Sequence, residues 1–204
     1  MSNSNIITKD EIKKLRQDIV FNETLNGFPL SFKTTWGLFS PRAIDEGTLL
    51  LLKYIEVNKD SDCLDLGCGY GPLGLTLAKL APEGKTTLVD RDFKAIEYTQ
   101  ENAKINAIGN VDALLSNGFD QIRDKKFDVV VSNIPAKVGN ELMTLFFYDA
   151  LQQLNPGGKI YVVTINGLRD YIKRTFKDMF GNYKKLKQGK NYTVSMAEMG
   201  HKTV

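Results

Sequence analysis

Apolar residues recur along this chain in two alternating registers. Short runs stand near residues 62–66, 86–90, 111–115, 127–132 and 159–165, each about the length of a buried strand. Between them, at 72–80, 92–106, 140–154 and 168–180, the apolar positions follow a helical period. Strands alternating with helices of about 10–15 residues predict a parallel sheet covered on both faces. Asn155-Pro156-Gly157-Gly158 reads as a plain helix-to-strand turn. The pattern then changes. Residues 183–187 and 192–198 are two strand-like runs joined by Gln188-Gly189-Lys190-Asn191, a hairpin signal. The expected fold is α/β: a Rossmann-like, seven-stranded, mostly parallel sheet with a C-terminal antiparallel hairpin and helices on both faces.

The region before the sheet is different. Residues 8–18 read as a short polar helix. Residues 19–39 read as extended, with Gly27, Pro29 and Gly37 as punctuation and Ser31-Phe32-Lys33-Thr34 alternating. Asp45 reads as a helix N-cap before Leu49-Leu50-Leu51-Leu52. With 204 residues, 42% hydrophobic and 25% charged, the chain fits one globular domain. Residues 1–45 form its N-terminal extension and 46–204 its core. No window approaches the roughly 20 apolar residues of a membrane span. Met1-Ser2-Asn3-Ser4-Asn5 leads into charge and not into an apolar run, so no signal peptide is expected. Cys63 and Cys68 with a single His make a poor metal set and read as free thiols of a reducing cytoplasm. His201 reads as a surface residue, and no metal is expected.

Charge adds one asymmetry. The net charge is +3, yet from Leu168 onward nine basic residues face three acidic ones. A basic C-terminal quarter on a nearly neutral body suits a polyanion, and equally the solvated face of a helix and hairpin.

The candidate chemistry lies at three strand ends. Cys63-Leu64-Asp65-Leu66 runs into Gly67-Cys68-Gly69-Tyr70-Gly71, a backbone that must turn sharply and approach a bound molecule. Gly69, Gly71 and Gly74 formally fit a dinucleotide fingerprint. Gly67, however, is the glycine that leaves the strand, and Asp65 stands two residues before it. A carboxylate there suits a ligand with an ammonium group and repels a pyrophosphate. Asp90 ends the second strand, where an acid accepts hydrogen bonds from ribose hydroxyls or helps to cap the next helix. Ser132-Asn133-Ile134-Pro135-Ala136 follows a central strand, where ligands bind in such sheets. Pro135 forces Ile134 into an extended conformation. The Asn133 side-chain oxygen and the Ile134 carbonyl then form a two-acceptor cradle for a planar –NH2 group.

With these residues the chain resembles a class I S-adenosylmethionine (SAM)-dependent methyltransferase. More narrowly, it is similar to the small methyltransferase family that includes the small-subunit rRNA guanine-N2 methyltransferases. The matching residues are Gly37-Leu38-Phe39-Ser40, Asp45-Glu46-Gly47-Thr48, Asp65 to Gly71, Asp90, Ser116-Asn117 and Ser132-Asn133-Ile134-Pro135. The resemblance covers about residues 34–199. It implies that Asp65, Gly67, Gly69 and Gly71 hold the methionine part of SAM, and that Asp90 binds its ribose. It implies that Asn117 and Phe119 border the adenine, and that Phe39-Ser40 closes over the pocket. Asn133, with Ile134 and Pro135, orients the nitrogen to be methylated. The family motif is usually Asn-Pro-Pro followed by an aromatic or apolar residue. Here Ile134 replaces the first proline and Ala136 the last position, which removes one φ restraint and one stacking surface.

The leading expectation is N-methylation of an exocyclic amine of an RNA base, guanine-N2 in rRNA, with RNA or a ribosomal subunit as partner. A protein glutamine or a small-molecule amine presents the same –NH2. A SAM-binding module without turnover is the reading Ile134 and Ala136 keep open. An NAD-dependent oxidoreductase is disfavoured by Asp65 and the C-terminal hairpin.

Overall fold

The computed structural model describes residues 7–200. The Met1–Asn5 stretch, His201 and Lys202 lie outside the described residues. The element order is α1 (Lys9–Leu15), β1 (Ile19–Leu25), β2 (Phe28–Thr34), α2 (Glu46–Leu52), β3 (Cys63–Leu66), α3 (Pro72–Leu80), β4 (Thr86–Asp90), α4 (Phe93–Ile105), β5 (Val111–Leu115), β6 (Phe127–Asn133), α5 (Asn140–Gln153), β7 (Leu154–Ile165), α6 (Arg169–Phe180), β8 (Lys184–Gln188) and β9 (Tyr192–Glu198). Seven strands form one sheet in the order β5-β4-β3-β6-β7-β9-β8. β5, β4, β3, β6 and β7 pair in parallel; β9 and β8 add antiparallel. The chain leaves β3 outward through β4 and β5, then returns to β6 on the other side of β3. That reversal opens a crevice at the C-terminal ends of β3 and β6, the place where open α/β sheets bind ligands.

Period-two alternation sorts the strand residues between two cores. Cys63, Val129, Val131, Tyr161 and Val163 lie on the face covered by α2, α3 and α4, in one core with Leu51, Leu75, Leu77 and Ile96. Leu64, Val130, Ile160 and Val162 face α5 and α6, packing with Met143, Phe147, Ile172 and Phe176. Burial on both faces explains why these strands read as continuous apolar runs. No helix among the described residues is long and apolar enough to cross a membrane. No group of three or more acidic, His or Cys side chains among them could hold a metal.

Three local readings are corrected. Residues 19–34 are a hairpin, β1 against β2, and not merely extended chain. Its turn is Asn26-Gly27, both at positive φ (49° and 85°), the signature of a tight two-residue hairpin. Asn102 of α4 and Asn106, its C-cap, fasten this hairpin to the core. The Asn102 side chain accepts from the Lys33 amide (2.7 Å) and donates to the Lys33 carbonyl (3.0 Å); Asn106 does the same to Ser31 (2.8 and 2.7 Å). Residues 155–158 lie inside β7 as a bulge, because the Gly157 amide donates to Met199 and the Met199 amide to Gly158. The first helix is also shorter than its polar stretch, and none of its residues is buried.

Candidate active site

The glycine loop between β3 and α3 holds Gly67, Gly69 and Gly71 at φ of 80°, 57° and 95°. A side chain is strained in that region. Their surroundings differ. A Cβ on Gly67 or Gly69 would meet no atom within 4 Å, and both residues line a cavity of about 350 Å³. Gly71 does not line it; Gly71 is the N-cap of α3, where a Cβ would press on Leu75 and Thr99 at 3.1–3.2 Å. Side chains from outside hold the loop. Asp90 Oδ2 accepts from the Gly69 amide (2.9 Å), Thr99 donates to the Gly69 carbonyl (2.8 Å), and Asn102 donates to the Tyr70 carbonyl (2.9 Å).

Asp65 lines the cavity yet is only 1% exposed. Its Oδ2 accepts from the Gly74 amide at 2.7 Å. Burial pushes its carboxyl up to about 7; the Gly74 bond pulls it down and the Asp90 charge pushes it up. Gly74, formally the last glycine of a fingerprint, is here a close-approach residue. A Cβ on it would stand 2.3 Å from Leu88 and 2.9 Å from the Asp65 carboxylate. Asp90 Oδ1 accepts from the Asp92 amide (2.9 Å), while Asp92 itself caps α4. So Asp90 locks the loop and leads into the helix without capping it. Burial raises both thiols, that of Cys63 to about 12; both cysteines are free.

Asn117 lines the cavity between Ser116 and Gly118. Phe119 does not. It is 1% exposed and packs in the α5 core with Leu66, Val89 and Ile122. The aromatic on that wall is Phe146 of α5, which closes so tightly over Gly118 that a Cβ there would stand 2.7 Å from its ring. Helical periodicity is the only local signal at Phe146, and it does not point to a site. Across the cavity, Phe39 (59% exposed) and Ser40 form part of the wall. Tyr70 ties that segment down, its hydroxyl shared between the Ser40 and Ala43 carbonyls at 3.1 and 3.3 Å. Arg91 and Lys137 bring positive charge to the lining.

Asn133 is the last residue of β6, and Ser132, Ile134 and Pro135 line the cavity beside it. Ser132 fixes the strand end by donating to the Leu66 carbonyl (2.7 Å). The Ile134 amide donates to Val163 (3.0 Å), which keeps the chain extended without a second proline. Among the described residues, no turn, loop or side-chain donor reaches the Ile134 carbonyl or Asn133 Oδ1. Asn133 Nδ2 donates to Asp45 Oδ2 (2.8 Å) and Thr48 Oγ1 (3.0 Å). Asp45 and Thr48 are legible in the sequence as a helix start and as part of a matching segment, with no role attached; their contact with Asn133 joins residues far apart in the chain.

A parallel sheet of this order, with a glycine loop after one strand, an acid ending the next and Asn-Ile-Pro ending a third, defines the class I methyltransferase fold. The family model described as "Methyltransferase small domain" matches residues 29–196, and the chain belongs to that family. It is 31% identical over 175 residues to ribosomal RNA small subunit methyltransferase C of Cronobacter sakazakii, covering 84% of this chain and 50% of that one. It is 32% identical over 166 residues to ribosomal RNA large subunit methyltransferase G of Photobacterium profundum, covering 77% and 43%. A solved structure of the 16S rRNA N2 G1207 methyltransferase of T. thermophilus, in complex with AdoMet and guanosine, superposes with a TM-score of 0.80 at 28% identity, covering 89% of this chain and 50% of that one. The chain thus spans about half the length of these rRNA methyltransferases.

Proposed function

We propose that this chain transfers a methyl group from SAM to an exocyclic amine of an RNA base, guanine-N2 in rRNA. The observation that carries the reading is the pair of unengaged acceptors, Asn133 Oδ1 and the Ile134 carbonyl, at the edge of the cavity beyond β6. The cavity fits the cofactor. The Cβ directions of Gly67 and Gly69 point into open space, as a close backbone approach to a ligand requires. Asp65 is a buried carboxylate with no cationic partner, which an ammonium group would supply. Asp90 keeps lone pairs free for ribose hydroxyls, and Asn117, in the cavity lining, is available to border the adenine. When bound, SAM supplies an electrophilic methyl on a sulfonium.

The chain's own contribution is alignment. The lone pair of an exocyclic amine is delocalised into its ring. Accepting both N–H groups at Asn133 and Ile134 favours a pyramidal nitrogen and directs its lone pair into the cavity. The nitrogen becomes acidic only as its new bond forms, so no strong base is required. Alignment of this kind is worth up to about 7–11 kcal/mol. Arg91 and Lys137 in the lining suit an RNA substrate, as do the activities for which its relatives are named. The base would enter singly, unstacked from its neighbours.

The test is incubation with methyl-tritiated SAM and, separately, ribosomal subunits, naked rRNA, tRNA and protein. Label in N2-methylguanosine after digestion of rRNA is expected. Label in protein glutamine would overturn the RNA assignment, and SAM binding with no label in any fraction would overturn turnover itself.

A further inference from the structure

A primary amide can present either its oxygen or its nitrogen to a pocket, and the two faces have opposite chemistry. The proposed role of Asn133 needs the oxygen. Asp45 sits across from it as the N-cap of α2. Its Oδ2 accepts from the Gly47 amide (2.8 Å), the Thr48 amide (3.3 Å) and Asn133 Nδ2 (2.8 Å). A carboxylate only accepts, so the Asn133 group facing it must be the –NH2. Thr48 Oγ1 accepts the second amide proton at 3.0 Å, and Thr48 is itself buried at 5% exposure. The reversed amide would set its oxygen against the Asp45 carboxylate and leave that carboxylate facing a lone pair.

The geometry points to Asp45 and Thr48 as positioning residues that select the reactive face of the Asn133 amide. This inference rests on the proposed reading of Asn133. The two residues come from one helix start, so a single local structure both caps α2 and sets the acceptor in the active site. The hydroxyl of Tyr192, 3.4 Å from Asp45 Oδ1, holds the carboxylate from its other side. Asp45 Oδ2 thus receives three donors.

Three substitutions separate this role from plain capping. Asp45→Ser keeps a good N-cap but is too short to reach Asn133. Asp45→Asn keeps both the cap and an acceptor oxygen of the same reach. Thr48→Val removes one acceptor at nearly constant shape. All three are read beside Asn133→Ala, using methyl-tritiated SAM and an unmodified small-subunit rRNA transcript, with SAM affinity by calorimetry. Side-chain amide exchange of Asn133, assigned by NMR against Asn133→Ala, reads the orientation without turnover. The expected result is wild-type SAM affinity throughout. Relative to wild type, kcat falls tenfold or more in Asp45→Ser and in Thr48→Val, with little change in KM, and falls far less in Asp45→Asn. The Asn133 amide protons are protected in wild type and Asp45→Asn, and exchange faster in the other two. Equal kcat in Asp45→Ser and Asp45→Asn, or amide protection unchanged in Asp45→Ser and Thr48→Val, would overturn the positioning role. Full turnover by Asn133→Ala would instead overturn the reading beneath it.

Discussion

Two side chains carry the proposed chemistry at the residue scale. Asn133 lines the cavity, its Nδ2 is engaged by Asp45 and Thr48, and among the described residues no donor reaches its oxygen. Asn133→Ala should therefore keep SAM affinity within a few-fold and lower turnover by about 100-fold or more, the order expected when alignment is lost. Single-turnover kinetics beside calorimetry would show this, and normal turnover would remove the assigned role. Asp65 makes a pH prediction. Its folded-state carboxyl lies near 7, against an ordinary value of 3.8. The folded protein thus binds more protons than the unfolded chain between those values, and its ligand-free stability falls as pH rises through that window. An ammonium ligand needs the ionised form, so SAM binding should release up to one proton below pH 7. Affinity should weaken there by as much as tenfold per pH unit. Calorimetry in buffers of different ionisation enthalpy counts that proton, and pH-independent affinity between 5.5 and 8 would contradict the role given to Asp65. Asp65 is legible in the sequence because a lone acid at a strand end is a chemical anomaly. Phe119 is not, because alternation stops where a strand ends, and nothing local says which way a loop aromatic turns.

Elements impose different demands on glycines that look alike in the sequence. Gly67 has open space before it, whereas Gly74 is wedged between Leu88 and Asp65. Gly67→Ala should cost about 1–2 kcal/mol of backbone strain and lower SAM affinity, because its methyl enters the cavity. Gly74→Ala should cost about 1–3 kcal/mol from overpacking and weaken SAM by displacing the Asp65 carboxylate. Denaturant melts with and without SAM distinguish them. If ligand stabilisation persists in Gly74→Ala, the contact between α3 and Asp65 is not what shapes the site. The hairpin of β1 and β2 is announced by Asn26-Gly27, since positive φ at two successive residues is a local requirement. Its docking on α4 through Asn102 and Asn106 is not, because an asparagine that imitates a neighbouring strand looks like any polar helix residue.

Across the whole molecule, the antiparallel addition of β9 and β8 sets the tip of their hairpin at the C-terminal end of β7, the end of the sheet at which the cavity opens. The tip of that hairpin lies beside α2, where Asn191 donates to Glu46 at 3.1 Å and Asn166 donates to the Lys190 carbonyl at 2.8 Å. Lys187 and Lys190 flank that tip, and the helix it adjoins starts at Asp45, which lines the cavity. With an RNA substrate, affinity should fall steeply with salt, and replacing both lysines by alanine should flatten the log–log slope by about 0.7 for each phosphate they neutralise. Filter binding at several salt concentrations measures it; an unchanged slope would move the RNA path elsewhere on the surface.

The sequence alone determined the alternation of strands and helices, the glycine turn, the acids at two strand ends and the helix start at Asp45. Each is a demand that one short stretch places on its own backbone: a period of burial, a positive φ, an unpaired amide to cap. The tertiary structure decided which of those features meet. Gly74 lies against Leu88, Phe146 covers Gly118, and the Asn133 amide donates to Asp45. These contacts join positions far apart in the chain. They exist only once the order of the sheet has reversed at β3 and brought the C-terminal ends of β3 and β6 side by side.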